Sequence, residues 1–392
     1  LKNIIIIGNG CAGYNAAKAI REKDKNSNIV IISNENLLTY YRPLLSDYLN
    51  EDKIDSKFYL SKDEWYEENS IELKLGINID KIDTKEKKVY FNNNFIAYDE
   101  LIIATGSNNI FPSIPGHDKK GVFTLKDMED LNNIKSWMKT CKKVIVVGGG
   151  ILGLEAAWEL KLAGFSVSVI EAASHIMNKQ LDSEASDILR NSLEDKGVEI
   201  YTNTMLEEIK GLEKVSSIKL SKNIVLDADM VIFSVGIKPN IPVITGSSIE
   251  INRGILVNKN METNIENVYA CGDVCELEGR VYGNWPASIL MGKVAGANSI
   301  GENLAFKGYK DSINFVGADL KVFSIGFIPN KDSISMQYLD KENKIYKKVF
   351  FQDNILIGAI LIGDIKPAMK LMKSLNKLSL EEFIQEYKEF IS

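Results

Sequence analysis

Ile4-Ile5-Ile6-Ile7-Gly8-Asn9-Gly10-Cys11-Ala12-Gly13 runs from four β-branched residues into a glycine loop; the helix-like 14–23 and the apolar Ile29-Val30-Ile31-Ile32 follow. About 140 residues later the order returns as Val144-Ile145-Val146-Val147, Gly148-Gly149-Gly150-Ile151-Leu152-Gly153, a helix-like 154–162 and Val167-Ser168-Val169-Ile170-Glu171. Each stretch reads strand, glycine turn, helix, strand: a parallel βαβ unit. Unbroken β-branched runs mark strands covered on both faces. One glycine loop is a weak signal, but two in the same context predict two dinucleotide-binding sheets. In such a loop the first glycine makes the turn, the second admits a pyrophosphate and the third lets helix pack on strand. The helix N-terminus then offers unpaired N–H groups to the anion.

Working outward, residues 77–82 and Lys88-Val89-Tyr90-Phe91 alternate as short antiparallel strands, and Leu101-Ile102-Ile103-Ala104-Thr105-Gly106 is a further strand running into a turn. The proline-punctuated 111–116 then marks a crossover near residue 108. A strand-like 230–236 closes the second unit, and Val268-Tyr269-Ala270-Cys271-Gly272-Asp273 is another strand ending in small residues and a carboxylate. Beyond Gly308, segments 320–328, 344–351 and 355–363 read as an antiparallel sheet, followed by amphipathic helices over 366–375 and Glu381–Ile391. The expected fold is α/β: two Rossmann-like dinucleotide-binding domains, 1–108 with 237–306 and 109–236, plus a small α+β C-terminal domain, 307–392.

A net charge of −6 argues against nucleic acid as partner, and no apolar run approaches the roughly 18–20 residues that span a bilayer. With four cysteines and two histidines, no familiar metal-ligand spacing occurs, so no metal is expected. Sparse, unpatterned cysteines fit a reducing compartment, and a cytoplasmic location is expected.

Several residues carry specific expectations. Glu171 stands at a strand end 18 residues past Gly153, where a carboxylate accepts ribose hydroxyls and repels a 2′-phosphate; Ala172-Ala173-Ser174 brings no arginine, so NADH is favoured over NADPH. In the first unit the ribose ligand is either Glu35 or the Ser33-Asn34 segment. Asp273 suits a polyhydroxyl chain such as ribityl, or else caps the residues after it. Pro286 is a good first residue for a helix over 287–299, and Trp285 either flanks a bound ring or packs in the core.

Together these motifs resemble the FAD-dependent pyridine nucleotide oxidoreductases with the glutathione-reductase-like fold, over residues 1–305. The likeness implies that FAD meets Gly8, Asn9, Gly10, Ala12, Gly13, Asn34, Glu35, Ile79, Ala104, Thr105, Gly106, Gly272, Asp273 and Trp285. It implies that NADH meets Gly148, Gly150, Ile151, Leu152, Gly153, Glu155, Glu171, Val235 and Gly236, with Glu155 beside both reacting rings. Within the family, Thr39-Tyr40-Tyr41-Arg42-Pro43-Leu44-Leu45-Ser46 resembles the Tyr-x-Arg-Pro segment of NADH:rubredoxin reductases and of the flavin-binding part of NADH nitrite reductase. By that likeness Arg42 holds the flavin, Pro43 packs on its ring, and these two with Glu155 make up the catalytic set. Asp47 stands where oxygenase-type reductases commonly carry lysine. The tail over 346–364 resembles the C-terminal domain of the same branch.

Thiol-relay members of this fold keep one or two cysteines on the helix after the first βαβ unit, and residues 33–60 contain none. Electrons are therefore expected to leave the flavin directly for an outside acceptor, a small redox protein with rubredoxin the best match. The alternatives are a flavin module serving a nitrite reductase-type partner and a non-catalytic NAD(H)- or flavin-binding regulator. Residues 307–373 carry eleven lysines against seven carboxylates, which suggests an acidic acceptor docking near this tail, with Lys347 and Lys348 as the charges to test. Oligomeric state is open.

Overall fold

A computed structural model describes residues 1–51, 53–329, 333–387 and 390 of the 392-residue chain. It divides into two compact units, Leu1–Leu44 with Lys53–Ile110 and Gly236–Tyr309, and Leu45–Asp52 with Phe111–Val235 and Lys310–Ser392.

The β-branched runs of the first unit form a five-stranded parallel sheet in the order Val268–Ala270, Glu100–Ile103, Asn3–Ile7, Asn28–Ile32, Ile71–Lys74. Ile4, Ile5 and Ile6 are fully buried at its centre, each worth about 1.5–3 kcal/mol in apolar burial. The helix after the glycine loop spans Cys11–Lys23 and so begins three residues before the expected start, because Gly10 is its N-cap and the loop's last residues form its first turn. The Trp285–Ser299 helix likewise begins before Pro286, capped by Asn284, whose Oδ1 accepts the Ala287 N–H at 2.9 Å. These two helices touch backbone to backbone: a Cβ at Gly292 would lie 2.2 Å from Ala12 O, and one at Gly296 2.3 Å from Ala16 O. Of the expected strand over 77–82 only Lys81–Asp83 forms, since the Ile77 N–H turns back to Ser33 O at 2.8 Å.

The second unit repeats the plan in the order Val198–Tyr201, Ser166–Ile170, Lys143–Val147, Met230–Phe233, Val122–Thr124, again all parallel. Its glycine-loop helix is Ile151–Leu162, also starting three residues early for the same reason. The unit includes the C-terminal antiparallel sheet Ser312–Gly317, Leu320–Gly326, Ile355–Ile362, Ile345–Gln352, Ile334–Asp340. Helices Ala368–Ser374 and Leu380–Glu386 cover that sheet through Leu371, Leu375 and Phe383. The second is shorter than the expected Glu381–Ile391 segment, whose last residue lies outside the described residues.

Two of the tail lysines are tied up within the fold. Lys348 Nζ lies 2.8 Å from Asp182 Oδ2, both side chains 19% exposed, and Lys347 pairs with Asp364 at 2.9 Å. Asp182 also accepts the Tyr346 hydroxyl at 2.7 Å and the Ala185 N–H at 3.0 Å as cap of the Ser183–Asp195 helix. Burial would raise the Asp182 pKa, but the bonds from Lys348 and Tyr346 outweigh it and hold the carboxyl below its usual range. Lys347 and Lys348 are thus neutralised by Asp364 and Asp182 within the fold. Alternation along the Ile345–Gln352 strand hid this, because both residues look like solvent-facing charges in sequence.

Candidate functional site

The two glycine loops show the same division of labour. In the first, Gly8 has φ +109° and a Cβ there would fall 2.2 Å from Ala104 O; at Gly13 it would fall 1.9 Å from Gly8 O. In the second, the matching distances are 2.2 Å from Gly148 to Ser234 O and 2.0 Å from Gly153 to Gly148 O. The fold itself demands these four glycines. Gly10 and Gly150 differ: a Cβ on either meets nothing within 4 Å, so what they leave room for lies outside the chain. Neither helix carries a capping side chain or an acidic residue in its first turn, whereas Asp127, Asp182, Asn284 and Ser379 cap other helices. Free N–H groups facing open space suit an anion, so both loops fit a dinucleotide pyrophosphate.

Around the first loop, Asn9, Gly10, Ser33, Glu35, Tyr40 and Arg42 line a small hollow. Glu35 accepts from Arg42 Nη2 at 2.5 Å and from the Tyr40 hydroxyl at 2.7 Å, while Arg42 lies over the Tyr40 ring. Asn34 and Pro43 are exposed, and Ile79 packs against the unit's core. Ala104-Thr105-Gly106 is tied to the returning chain through the Thr105 hydroxyl to Asn240 O at 2.8 Å. Asp273 is not a cap: it lies inside the Gly272–Val274 turn, which has Cys271 as its N-cap. Its carboxylate accepts the Ser288 hydroxyl at 3.0 Å and the Ser107 hydroxyl at 3.1 Å. Burial raises its pKa, partly offset by those two hydroxyls and by Arg42. Ser107 and Ser288 were missed in sequence; each follows a motif closely, but nothing in the spacing points them at Asp273. Trp285 is half-buried and edge-on to Tyr41 with ring centroids 5.0 Å apart, and its Nε1 has no partner among the described residues.

In the second unit, Glu171 is no loosely solvated charge. Its carboxylate accepts the Gly149 N–H and the Ala173 N–H, both at 2.7 Å, which fixes it beside the glycine loop with lone pairs to spare. Leu152, 57% exposed, and Val235, 38% exposed, offer apolar surface on the segments that flank Gly148. Glu155, half-buried on the Ile151–Leu162 helix, has its pKa raised to about 7 by burial, then by Asp47 and Glu159; burial, Asp47 and Glu51 raise Glu159 to about 7 as well. The Asp47–Leu49 turn packs on that helix, and Lys135 holds the segment by donating to Tyr48 O at 2.9 Å and to Glu51 O. Where the sequence showed only a missing lysine, the structure places a third carboxylate near two others.

All four cysteines are free and buried. Burial pushes Cys11 and Cys275 up to about 12 and Cys141 to about 11, and raises Cys271 as well. Nucleophilic thiolate is thereby suppressed at each. Among the described residues no group of three His, Cys, Asp or Glu is arranged to hold a metal, and no helix is long and apolar enough to cross a membrane.

A family model described as pyridine nucleotide-disulphide oxidoreductase matches residues 2–292. The chain belongs to that family. FAD and NADH are the cofactors of this family and of its homologues. A second model, the rubredoxin NAD+ reductase C-terminal domain, matches residues 314–378. The oxidoreductase is 36% identical to a nitrite reductase [NAD(P)H] of Bacillus subtilis, covering 96% of this chain and 47% of that protein. It is 33% identical to an NADH-rubredoxin oxidoreductase of Clostridium acetobutylicum, covering 95% and 94%. Among solved structures, the crystal structure of NADH:rubredoxin oxidoreductase from Clostridium acetobutylicum has a TM-score of 0.82 at 31% identity, covering 98% of this chain and 99% of that one. The chain spans about half the length of the nitrite and nitrate reductase relatives it matches.

Proposed function

We propose that this enzyme passes electrons from NADH through FAD to a small redox protein of the rubredoxin type. The observation that carries the proposal is the burial of all four cysteines with raised pKa values, in a chain that has no cysteine over 33–60: with no thiol able to relay, the electrons go to an outside acceptor. The rubredoxin reductase tail over 314–378 supports the choice of acceptor.

In this proposal the Cys11–Lys23 helix N-terminus and Gly10 receive the FAD pyrophosphate, Arg42 is held ready by Glu35, and Asp273 meets the ribityl hydroxyls. FAD, when bound, supplies the exchange between a two-electron hydride donor and one-electron carriers. Gly150 and the Ile151–Leu162 helix receive the NADH pyrophosphate, and Glu171, locked by two backbone N–H groups, orients the adenosine ribose and disfavours a 2′-phosphate. The N-terminus of the Trp285–Ser299 helix would present positive potential to the bound group. Glu155 provides a carboxyl that exchanges a proton near neutral pH.

A steady-state comparison tests this: NADH against NADPH, each with rubredoxin, ferredoxin, ferricyanide and oxygen. The expected result is that NADH with rubredoxin gives the highest kcat/KM among protein acceptors. Failure of NADH to reduce the bound flavin, or a clear preference for ferredoxin, overturns it. Likeness to nitrite reductase at 36% identity favours a second acceptor, a separate nitrite-reducing partner. Electron delivery to such a partner, with rubredoxin left oxidised, would select that function.

A further inference from the structure

In the C-terminal sheet Ser324 stands opposite Ile360, Ile360 opposite Lys348, and Lys348 opposite Gln337, one row across four strands. Residues paired in this way point to one face of a sheet. Each polar member of the row meets one position of the chain that leads into the Ser183–Asp195 helix. The Ser324 hydroxyl donates to Gln180 O at 2.6 Å, Lys348 Nζ to the Asp182 carboxylate at 2.8 Å, and Gln337 Nε2 to the Glu184 carboxylate at 2.7 Å. The contacts fall on alternate residues, 180, 182 and 184, in step across the sheet. Ser324 is buried, and the residues that share its face along the strand, Leu320 and Val322, are apolar and buried too. Packing alone would be served by another apolar residue there, so the hydroxyl answers to Gln180 O.

What these contacts hold lies beside the second glycine loop. Gln180 and Leu181 donate their N–H groups to Met177 O at 2.8 and 2.9 Å, and the Met177 N–H donates to Gly149 O at 2.8 Å. The Gly149 N–H in turn donates to the Glu171 carboxylate at 2.7 Å. One succession of hydrogen bonds therefore runs from Ser324 on the C-terminal sheet to Glu171. Met177 has φ +49°, a left-handed backbone that methionine rarely adopts, so its conformation depends on being held from both sides. The fit at Gly149 is close as well: a Cβ there would lie 2.9 Å from Ile176 Cγ2. A shift of segment 176–182 would carry the Gly149 peptide with it, and Glu171 would lose its aim.

We propose that Ser324 and Lys348 are positioning residues for the adenosine half of NADH: from the C-terminal sheet they fix segment 176–182, and through Met177 and Gly149 they hold Glu171 at the ribose hydroxyls. The inference rests on the reading of Glu171 and the second glycine loop as the NADH site. It deepens that reading by giving the C-terminal region a part in nucleotide binding, separate from any part in the choice of acceptor. Small displacements suffice, because a hydrogen bond weakens steeply as its geometry departs from the optimum.

Holoenzyme carrying Ser324→Ala, Lys348→Met or Glu171→Ala is titrated by calorimetry with ADP-ribose, which has the adenosine half of NADH and no nicotinamide. Ferricyanide reduction is then followed with NADH and with reduced nicotinamide mononucleotide, which lacks the adenosine. Ser324→Ala and Lys348→Met should each weaken ADP-ribose binding by about 3- to 10-fold and raise the KM for NADH by the same factor. The kcat with NADH and the rate with the mononucleotide stay at the wild-type level, and Glu171→Ala loses ADP-ribose affinity by about 10-fold or more. Equal losses for ADP-ribose and the mononucleotide are those of a merely structural role and overturn the proposal. Wild-type ADP-ribose affinity in Ser324→Ala, with Glu171→Ala impaired, overturns it too and leaves NADH on this unit. A Glu171→Ala protein that binds ADP-ribose like wild type overturns the reading of the NADH site itself. If Lys348→Met does not fold, Ser324→Ala decides by the same comparison.

Discussion

Glu155 changes charge near pH 7, where an ordinary glutamate has long been ionised. Its folded pKa lies above its unfolded value, so between about pH 4.5 and 7 the unfolded state gives up the proton first. Stability from this group is therefore full below pH 4.5, falls as pH rises towards 7 and is level above. Asp47→Asn removes one neighbouring negative charge. At pH 7.5 the apoprotein should melt about 1–2 °C higher than wild type, with the difference vanishing near pH 5. Differential scanning fluorimetry across that range checks it, and a shift of equal size at both pH values would show that Asp47 acts otherwise. At this scale the legible residues were those whose job is set by their chain neighbours: Gly8, Gly13, Gly148, Gly153 and Glu171 stand at fixed steps in a βαβ unit. Ser107 and Ser288 reach Asp273 only through folding. Ser107 and Asp273 are 166 residues apart, and no local pattern links them.

Elements were legible where the hydrophobic pattern is unbroken. The four-residue β-branched runs became the middle strands of their sheets because only a strand buried on both faces tolerates them. Both glycine-loop helices were misplaced at their starts, since glycine in a helix interior normally disfavours it, yet Gly13 and Gly153 lie within the first turn to permit close packing. The contact between Cys11–Lys23 and Trp285–Ser299 was invisible for a related reason: Gly292 and Gly296 look like weak points in an apolar helix, and their function appears only against Ala12 and Ala16. Gly292→Val should force these helices apart. A loss of about 3 kcal/mol or more is expected in urea unfolding, together with lower flavin occupancy of the purified protein. Wild-type stability in this variant would mean the helices do not need their backbone contact.

For the whole molecule, the repeated sheet was written twice in the sequence, but the character of the C-terminal region was not. Its lysine excess suggested a charged face, whereas Lys347 and Lys348 are spent on internal ion pairs. Lys348→Met should cost about 2 kcal/mol, because Asp182 stays half-buried without its cation. Lys341→Glu, at an exposed position, should change stability by less than about 0.5 kcal/mol. Equal small effects in chemical denaturation would mean that the Asp182 pair is unimportant. The buried thiols have a practical consequence. Cys11, Cys271 and Cys275 lie in one compact unit and Cys141 in the other, all shielded and protonated. Iodoacetamide should leave the native enzyme unlabelled for as long as both units stay closed, and peroxide at modest dose should spare its turnover. When labelling does occur, the modified position identifies the unit that opened, so pulsed alkylation followed by peptide mass spectrometry gives a separate opening free energy for each half of the chain.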